Sequence, residues 1–210
     1  TRFQRLQVGT GSLVIDYRAH IDGEGAEAPG VPYDLFSSRL PSRYVESDVL
    51  SPTAAAEFAG IDPGADLLAA VSSWVGTQLS YVPGASGPTD GAVETLLRRQ
   101  GVCRDYARLC AALLRARGVA ARVAAVYAPG LAPMEFHAVT EAWIDDAWRV
   151  VDATALAPRQ NLVRIATGRD AADTAFLTVL SGRTDLDVIE VTAVVDELAR
   201  DDVTQLVSIR

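Results

Sequence analysis

The sequence predicts an α+β fold in which a helix that begins near Cys103 packs against an antiparallel sheet carrying His137 and Asp152. Three observations indicate this class. Residues 106–114 have the apolar spacing of an amphipathic helix, and residues 137–153 have the pattern of a β-hairpin. The chain of 210 residues is 49% hydrophobic, which provides enough apolar side chains for one sizeable core.

The predicted helix places Cys103 in its first turn and ends near Arg117, where Gly118 is a stop signal. Free amide N–H groups at a helix N-terminus, together with the helix dipole, favour a thiolate, which is the species that attacks carbonyl carbons. Gly101 permits a sharp entry into the helix and a close approach of a substrate backbone to the sulfur. Cys110 is expected to be a buried structural cysteine. The apolar face of the helix consists of Tyr106, Leu109, Cys110, Leu113 and Leu114.

Two antiparallel strands are predicted over residues 137–144 and 147–153, with a polar break of two aspartates between them. If the loop contains only these two residues, Trp143 lies opposite Trp148. The two indole rings then form a cross-strand pair. We expect this pair to pack against the helix that carries Cys103.

The same loop length brings His137 and Asp152 to one face of the hairpin. Side chains alternate along a strand, so the two residues become diagonal neighbours about 7–8 Å apart at the backbone. A three-residue loop would place them on opposite faces. Together with Cys103 they supply a nucleophile, a base and an orienting carboxylate, and these are our candidate catalytic residues. Each residue also has a structural alternative: a buried cysteine, a hydrogen-bonded core histidine and a turn or capping aspartate.

Three motifs, in this order, resemble the bacterial transglutaminase-like family. They are Gly-Val-Cys-Arg-Asp-Tyr-Ala at 101–107, Leu-Leu-Arg-Ala-Arg-Gly-Val-Ala-Ala-Arg at 113–122, and the strand segments at 137–143 and 148–154. The resemblance covers residues 65–155, and the order of the motifs is specific. Leu-Pro-Ser-Arg-Tyr at 40–44 and Arg-Ile-Ala-Thr-Gly-Arg-Asp at 164–170 are similar to a bacterial subgroup of this family.

The resemblance implies a papain-like core, in which the helix with the cysteine packs on the sheet with the histidine and aspartate. It implies that Cys103 is the nucleophile, His137 the base and Asp152 the orienter. Arg108 departs from the family pattern, where a histidine is expected at this position. The position lies outside the triad, so the departure affects substrate preference or support of the site rather than the chemistry.

The rest of the chain is assigned by hydrophobic periodicity and by helix and turn signals. We divide the chain into an N-terminal β-containing subregion (1–60), a transglutaminase-like catalytic core (61–165) and a C-terminal loop and strand that complete the same domain (166–210). The loop over 128–134 is expected to form one wall of the site. Helices are predicted over 53–58, 65–79 and 92–98, and strands over 12–18, 122–127 and 187–195.

Composition excludes several classes of function. The net charge of −8 argues against nucleic acid and anionic membranes as partners. The two cysteines lie seven residues apart on one helix, about 10 Å, and cannot form a disulfide. No zinc-ligand spacing, dinucleotide motif or phosphate loop is present, so we expect neither a metal nor a cofactor. The possible ligands considered were His20, Cys103, Cys110 and His137.

The sequence contains neither a stretch of about 18 apolar residues nor a secretory signal, and we therefore expect a cytoplasmic protein. All 19 cationic side chains are arginine. If the protein transamidates, it has no lysine amine that could serve as an acyl acceptor. Its oligomeric state is not indicated by any motif.

Our leading hypothesis is a bacterial cysteine enzyme that transfers an acyl group from a peptide or protein amide through a thioester. Water would complete the reaction as in a peptidase or amidase, and a primary amine would complete it as in a transglutaminase. The second donor of an oxyanion hole could be Gln78, Tyr81 or Gln100, besides the N–H of Cys103.

Two alternatives remain open. An acyltransferase of the arylamine N-acetyltransferase type shares the order of the triad, but Arg99-Gln100-Gly101 stands where Arg-Gly-Gly is expected before the cysteine. The other alternative is a catalytically silent transglutaminase-like fold that acts as a peptide-binding or interaction module. Reactivity of the thiol separates this alternative from an enzyme.

Overall fold

A computed structural model describes residues 3–23 and 25–209 of the chain. Within these residues the chain forms five α-helices, a 3₁₀ turn at Arg159–Asn161 and six strands. The helices are α1 (Pro32–Ser37), α2 (Ser51–Glu57), α3 (Ala65–Gln78), α4 (Ala92–Arg98) and α5 (Cys103–Ala116). The strands are β1 (Ser80–Tyr81), β2 (Gln100–Gly101), β3 (Ala121–Tyr127), β4 (His137–Ile144), β5 (Ala147–Val151) and β6 (Val163–Gly168).

Four strands form one antiparallel sheet in the order β5-β4-β3-β6. The strands β1 and β2 form a separate parallel pair that lies just before α5 in the chain. Helix α5 packs on β3 and β4 and is covered by α2, α3 and α4. The predicted α+β class, with a cysteine-bearing helix on an antiparallel sheet, is confirmed.

The hairpin of β4 and β5 has the predicted two-residue turn. Asp145 and Asp146 have φ angles of 51° and 53°, which are the left-handed values of a type I′ turn. Trp143 lies opposite Trp148 in the register, and their ring centroids are 5.5 Å apart in an edge-on arrangement. The predicted register is therefore confirmed, although β5 ends two residues earlier than expected.

The tryptophan pair nevertheless lies on the face of the sheet away from α5, so the expectation that it packs against this helix is wrong. The Thr140 hydroxyl donates to the Ala107 carbonyl of α5 at 2.7 Å, which shows that even-numbered residues of β4 face the helix. Alternation then turns Trp143 to the other face. There the guanidinium of Arg122 lies 3.9 Å from the ring centroid of Trp148, a cation–π contact.

Each face of the sheet contributes to an apolar core. The larger core lies between the sheet and the helices and is centred on α5, whose residues from Leu109 to Leu114 are buried. A smaller core covers the opposite face, and the chain from residue 197 onward contributes Ile209 to it. The smaller core consists of Ala124, Val126, Ala128, Val139, Val150, Ala157, Leu162 and Ile209.

Two predicted strands, over residues 12–18 and 187–195, are wrong. Neither segment has regular secondary structure, and nearly all of their residues are exposed. The described part of residues 1–60 contains helices and one isolated β-bridge, Ser42 to Val45, instead of a strand. Apolar alternation produces a strand only where a second strand supplies hydrogen bonds, and no partner pairs with either segment in the described ranges.

The other predicted elements are confirmed. The predictions over 53–58, 65–79, 92–98 and 122–127 correspond to α2, α3, α4 and β3, with ends that differ by at most two residues. The short helix α1 was not predicted. None of the helices within residues 3–23 and 25–209 has the length and hydropathy needed to cross a bilayer.

Arg115, near the end of α5, joins this helix to three other segments. Its guanidinium donates to the carbonyls of Ala121 and Leu40 at 2.8 and 2.9 Å, and also to the carbonyl of Arg169. Burial lowers the pKa of Arg115 to about 10, and the charge of Asp170 partly opposes this effect. The side chain therefore holds several buried acceptors in place.

We expect Arg115→Ala to lower the free energy of unfolding by about 3 kcal/mol, because buried carbonyls lose charged donors. Urea denaturation measures the change. The matched control is Arg39→Ala, which removes an exposed arginine and should change stability by no more than about 0.5 kcal/mol. Equal effects of the two substitutions would contradict this role of Arg115.

Candidate active site

Cys103 is the first residue of α5 and is partly exposed. Its position is fixed by Asp105, whose buried carboxylate accepts the N–H of Val102 at 2.8 Å and the hydroxyl of Ser86. A carboxylate in the first helical turn also interacts favourably with the helix dipole. The start of α5 is thus tied to the preceding loop of residues 83–90.

Gly101 leaves the room that Asp105 needs. A Cβ atom at position 101 would lie 2.6 Å from the Cβ of Asp105 and 2.8 Å from its Oδ2. Such contacts are well inside van der Waals distance. The sequence prediction connected Gly101 with the approach of a substrate, whereas in the structure the nearest atoms are those of Asp105.

Arg108, the departure from the family pattern, is a fully buried part of this support. Its guanidinium donates to the carbonyl of Pro88 at 2.9 Å and to that of Asp90, and lies 3.5 Å from Asp105. It also stands 4.8 Å from the ring centroid of Tyr44. Burial lowers its pKa. Arg108 therefore anchors the loop of residues 83–90 to α5.

His137 and Asp152 meet at the open end of the β4–β5 hairpin. The Nε2 atom of His137 lies 2.9 Å from Oδ2 of Asp152, and both side chains are buried. The other carboxylate oxygen, Oδ1, accepts the backbone N–H and the hydroxyl of Thr154 at 2.9 and 2.7 Å. Both oxygens of Asp152 are therefore occupied, and the carboxylate is held in one orientation.

The second ring nitrogen of His137, Nδ1, is buried and has no nitrogen or oxygen partner in the described part of the chain. Nδ1 is therefore the ring nitrogen that is available to the thiol of Cys103. Burial by itself would lower the pKa of His137, but hydrogen bonding to Asp152 and Cys103 and their negative charges outweigh burial and raise it to about 10. At neutral pH the imidazole is then protonated, and a protonated ring stabilises a neighbouring thiolate.

Of the three residues considered as a second oxyanion donor, the structure brings Tyr81 into contact with Cys103. Tyr81 is the strand partner of Gly101, two residues before Cys103, and hydrogen bonding to Cys103 contributes to the pKa of its phenol. Burial and the charge of Cys103 raise the pKa of Tyr81 to about 12, so the phenol keeps its proton at neutral pH. Gln78 accepts a hydrogen bond from Arg99, and Gln100 is exposed on β2.

Cys110 is fully buried in the core of α5, and burial raises the pKa of its thiol. Among residues 3–23 and 25–209, no group of three or more histidine, cysteine, aspartate or glutamate side chains is arranged to hold a metal ion. His20 lies outside the site, exposed beside Asp22 at 2.9 Å. The structure thus brings together the three candidate residues that the sequence indicated.

Sequence reasoning missed two residues of the site. Asp105 could have been found, because an acidic residue at the third position of a helix is a signal for its N-terminus. Thr154 could also have been found, because a hydroxyl residue two positions after an aspartate is typical of a local turn. Both residues act on the orientation of a neighbouring candidate side chain.

Known proteins share this fold. Residues 52–153 match the core of the transglutaminase-like superfamily. This part of the chain is a transglutaminase-like core. The crystal structure of a candidate cysteine protease from Cytophaga hutchinsonii superposes on 71% of this chain and 53% of that chain, with 41% identity and a TM-score of 0.66.

Two mycobacterial proteins of uncharacterized function are also similar to this transglutaminase-like chain. One from Mycobacterium leprae is 30% identical over 134 residues, which are 57% of this chain and 47% of that protein. One from Mycobacterium tuberculosis is 36% identical over 101 residues, which are 47% of this chain and 32% of that protein. The chain thus spans about half, or less, of the length of these relatives.

We expect iodoacetamide to alkylate Cys103 and not Cys110 in the native protein near neutral pH. Cys103 is partly exposed at the N-terminus of α5, while burial keeps the Cys110 thiol protonated and inaccessible. Mass spectrometry of peptides gives the site. Cys103→Ser should remain unlabelled over the same time, and the chain unfolded in urea should take up two labels. Alkylation of Cys110 first would show that the assignment is incorrect.

Proposed function

We propose that this protein is a cysteine-dependent enzyme that transfers the acyl group of an amide through a thioester on Cys103. The observation that carries the proposal is the 2.9 Å contact between His137 and Asp152, which leaves the other imidazole nitrogen for the thiol at the start of α5. In this proposal Cys103 is the nucleophile, His137 the base and Asp152 the orienting carboxylate. The transglutaminase-like core and the C. hutchinsonii protein support cysteine-dependent catalysis in general.

The first half of the reaction forms the thioester. The Sγ thiolate of Cys103 attacks the amide carbonyl carbon, and the C=O electrons move onto oxygen. The tetrahedral intermediate then collapses as the C–N bond breaks, and the protonated Nδ1 of His137 gives its proton to the leaving amine. This step leaves an acyl-thioester on Cys103 and a neutral imidazole.

The second half releases the acyl group. Neutral His137 takes a proton from water or from an amine, whose oxygen or nitrogen attacks the thioester carbonyl. The C–S bond breaks, and Cys103 and His137 return to the thiolate and imidazolium. Water yields a carboxylic acid, and a primary amine yields a new amide. Asp152 keeps Nε2–H of His137 directed towards itself, so Nδ1 remains the nitrogen that exchanges protons.

Tyr81 supports charge on the carbonyl oxygen in this proposal. The neutral phenol beside the Cys103 backbone N–H supplies a second donor next to the sulfur. We infer that Tyr81→Phe slows turnover while the thiol stays reactive towards small alkylating agents. The two measurements distinguish a role of Tyr81 in stabilising the tetrahedral intermediate from a role in activating the sulfur.

We expect His137→Ala to abolish turnover and Asp152→Asn to lower kcat by about 100-fold or more. An asparagine would keep its oxygen on the Thr154 donors and turn its NH₂ towards Nε2, which selects the tautomer that cannot accept a proton at Nδ1. Release of amine from a glutamine-containing peptide measures the rate, and circular dichroism checks the fold. Asp146→Asn removes an equal charge from the exposed turn of the same hairpin and should retain the native rate. A native rate in Asp152→Asn would contradict the role of this carboxylate.

We also expect no covalent ladder when the purified protein is incubated at high concentration. The chain contains glutamines as donors but no lysine, so its own side chains offer no primary amine. A denaturing, reducing gel tests this, with dansylcadaverine added in a parallel sample. If dansylcadaverine is incorporated and no ladder forms, the enzyme transamidates. If a carboxylic acid is released and no dansylcadaverine is incorporated, the enzyme hydrolyses. A ladder that maps to side-chain isopeptide bonds within the chain would overturn the expectation.

A further inference from the structure

The backbone edge of β1 next to the candidate active site is unpaired. On its other side, Ser80 N–H donates to the carbonyl of Arg99 and Val82 N–H donates to the carbonyl of Gly101, both at 2.9 Å. Successive residues of a strand direct their backbone groups to opposite sides, so the N–H and C=O of Tyr81 point away from β2. Within residues 3–23 and 25–209, no strand pairs with this side of β1.

This edge is open to solvent. The exposed fractions of Tyr81 and Val82 are 38% and 37%, and Ser80 is also exposed. An open strand edge with free N–H and C=O groups is a template for a further strand. Extended peptides bind to many proteins in this way, with main-chain hydrogen bonds providing the affinity.

The edge also has a fixed relation to the sulfur. Tyr81, whose backbone is unpaired on this side, lies opposite Gly101 in the parallel register, two residues before Cys103. Strand β2 leads through Val102 directly into α5, so the parallel pair and the start of the helix are one connected unit. A strand added at Tyr81 would therefore pass beside the nucleophile.

We propose that the Tyr81 edge of β1 binds an extended segment of a peptide substrate by strand addition, and that this contact delivers the scissile amide to Cys103. The inference rests on the proposed function and specifies its substrate as an extended peptide rather than a small amide. The edge is short, with one free N–H and one free C=O. In either strand direction only one peptide N–H can reach the Tyr81 carbonyl.

The experiment uses acetyl-tetra-alanine chloromethyl ketone, whose CH₂ carbon forms a bond to Sγ of Cys103 as chloride leaves. Four further peptides carry an N-methyl group at one alanine each, and four carry an ester in place of one amide. The rate constant for labelling Cys103 is measured by mass spectrometry of the full chain and divided by the rate constant with glutathione. Chloroacetamide serves as a probe without a peptide backbone, and Cys103→Ser as the control for the site.

We expect the unmodified peptide to label Cys103 at least about 10-fold faster than chloroacetamide after this correction. At one position, the N-methyl group should lower the rate constant for labelling Cys103 about 10-fold. The ester at the same position should also slow labelling, because each change removes the peptide N–H that donates to the Tyr81 carbonyl. Modifications at the positions on either side should change this rate constant by less than about 3-fold. A peptide series without such a position, or a peptide no faster than chloroacetamide, would overturn the proposal while the proposed function stands. Failure of chloroacetamide itself to label Cys103 would instead contradict the proposed function, and the edge proposal with it.

Discussion

The buried carboxylate of Asp105 is the interaction on which the candidate site depends. It accepts donors from Val102 and Ser86 and lies beside the buried guanidinium of Arg108. A buried carboxylate is costly unless its oxygens are satisfied, and here the Ser86 hydroxyl ties the loop of residues 83–90 to the start of α5. Position 101, two residues before the first residue of α5, must lack a side chain for the same reason, since a Cβ atom at Gly101 would collide with Asp105. The position of Cys103 follows from this set of contacts.

Buried arginines extend this principle through the rest of the molecule. Arg108 anchors the loop before α4, and Arg115 joins the end of α5 to carbonyls in three other segments. On the opposite face of the sheet, Arg122 and Arg164 pair with the buried Glu141. A guanidinium can satisfy several acceptors at once from a single side chain, which suits it to hold irregular backbone. The chain uses these arginines to attach loops to a helix and sheet that are otherwise apolar.

The N-terminus of α5 and the open end of the β4–β5 hairpin meet at the candidate site. The helix contributes its N-terminus, where a negative charge on sulfur is favoured, and the hairpin contributes its open end, where the two strands hold His137 and Asp152. Thr154 takes the remaining oxygen of Asp152 and prevents the carboxylate from turning. The parallel pair of β1 and β2 adds Tyr81 and an open backbone edge. In our proposals, the chemistry and the binding of a substrate backbone thus come from neighbouring parts of one connected unit.

Local patterns in the sequence were sufficient for α2 to α5, for the hairpin and for the pairing of His137 with Asp152, because helix periodicity, turn length and strand alternation depend on neighbouring residues. Three features were decided only by the tertiary structure. The face on which the tryptophans pack depends on which side of the sheet receives α5, and alternation alone does not specify this. The apolar alternation of residues 12–18 and 187–195 gave no strand, because a strand requires a partner that the local sequence does not contain. The burial of Arg108, and the contact of Tyr81 rather than Gln78 or Gln100 with the cysteine, arise from segments that are distant in the sequence and meet only in the folded chain.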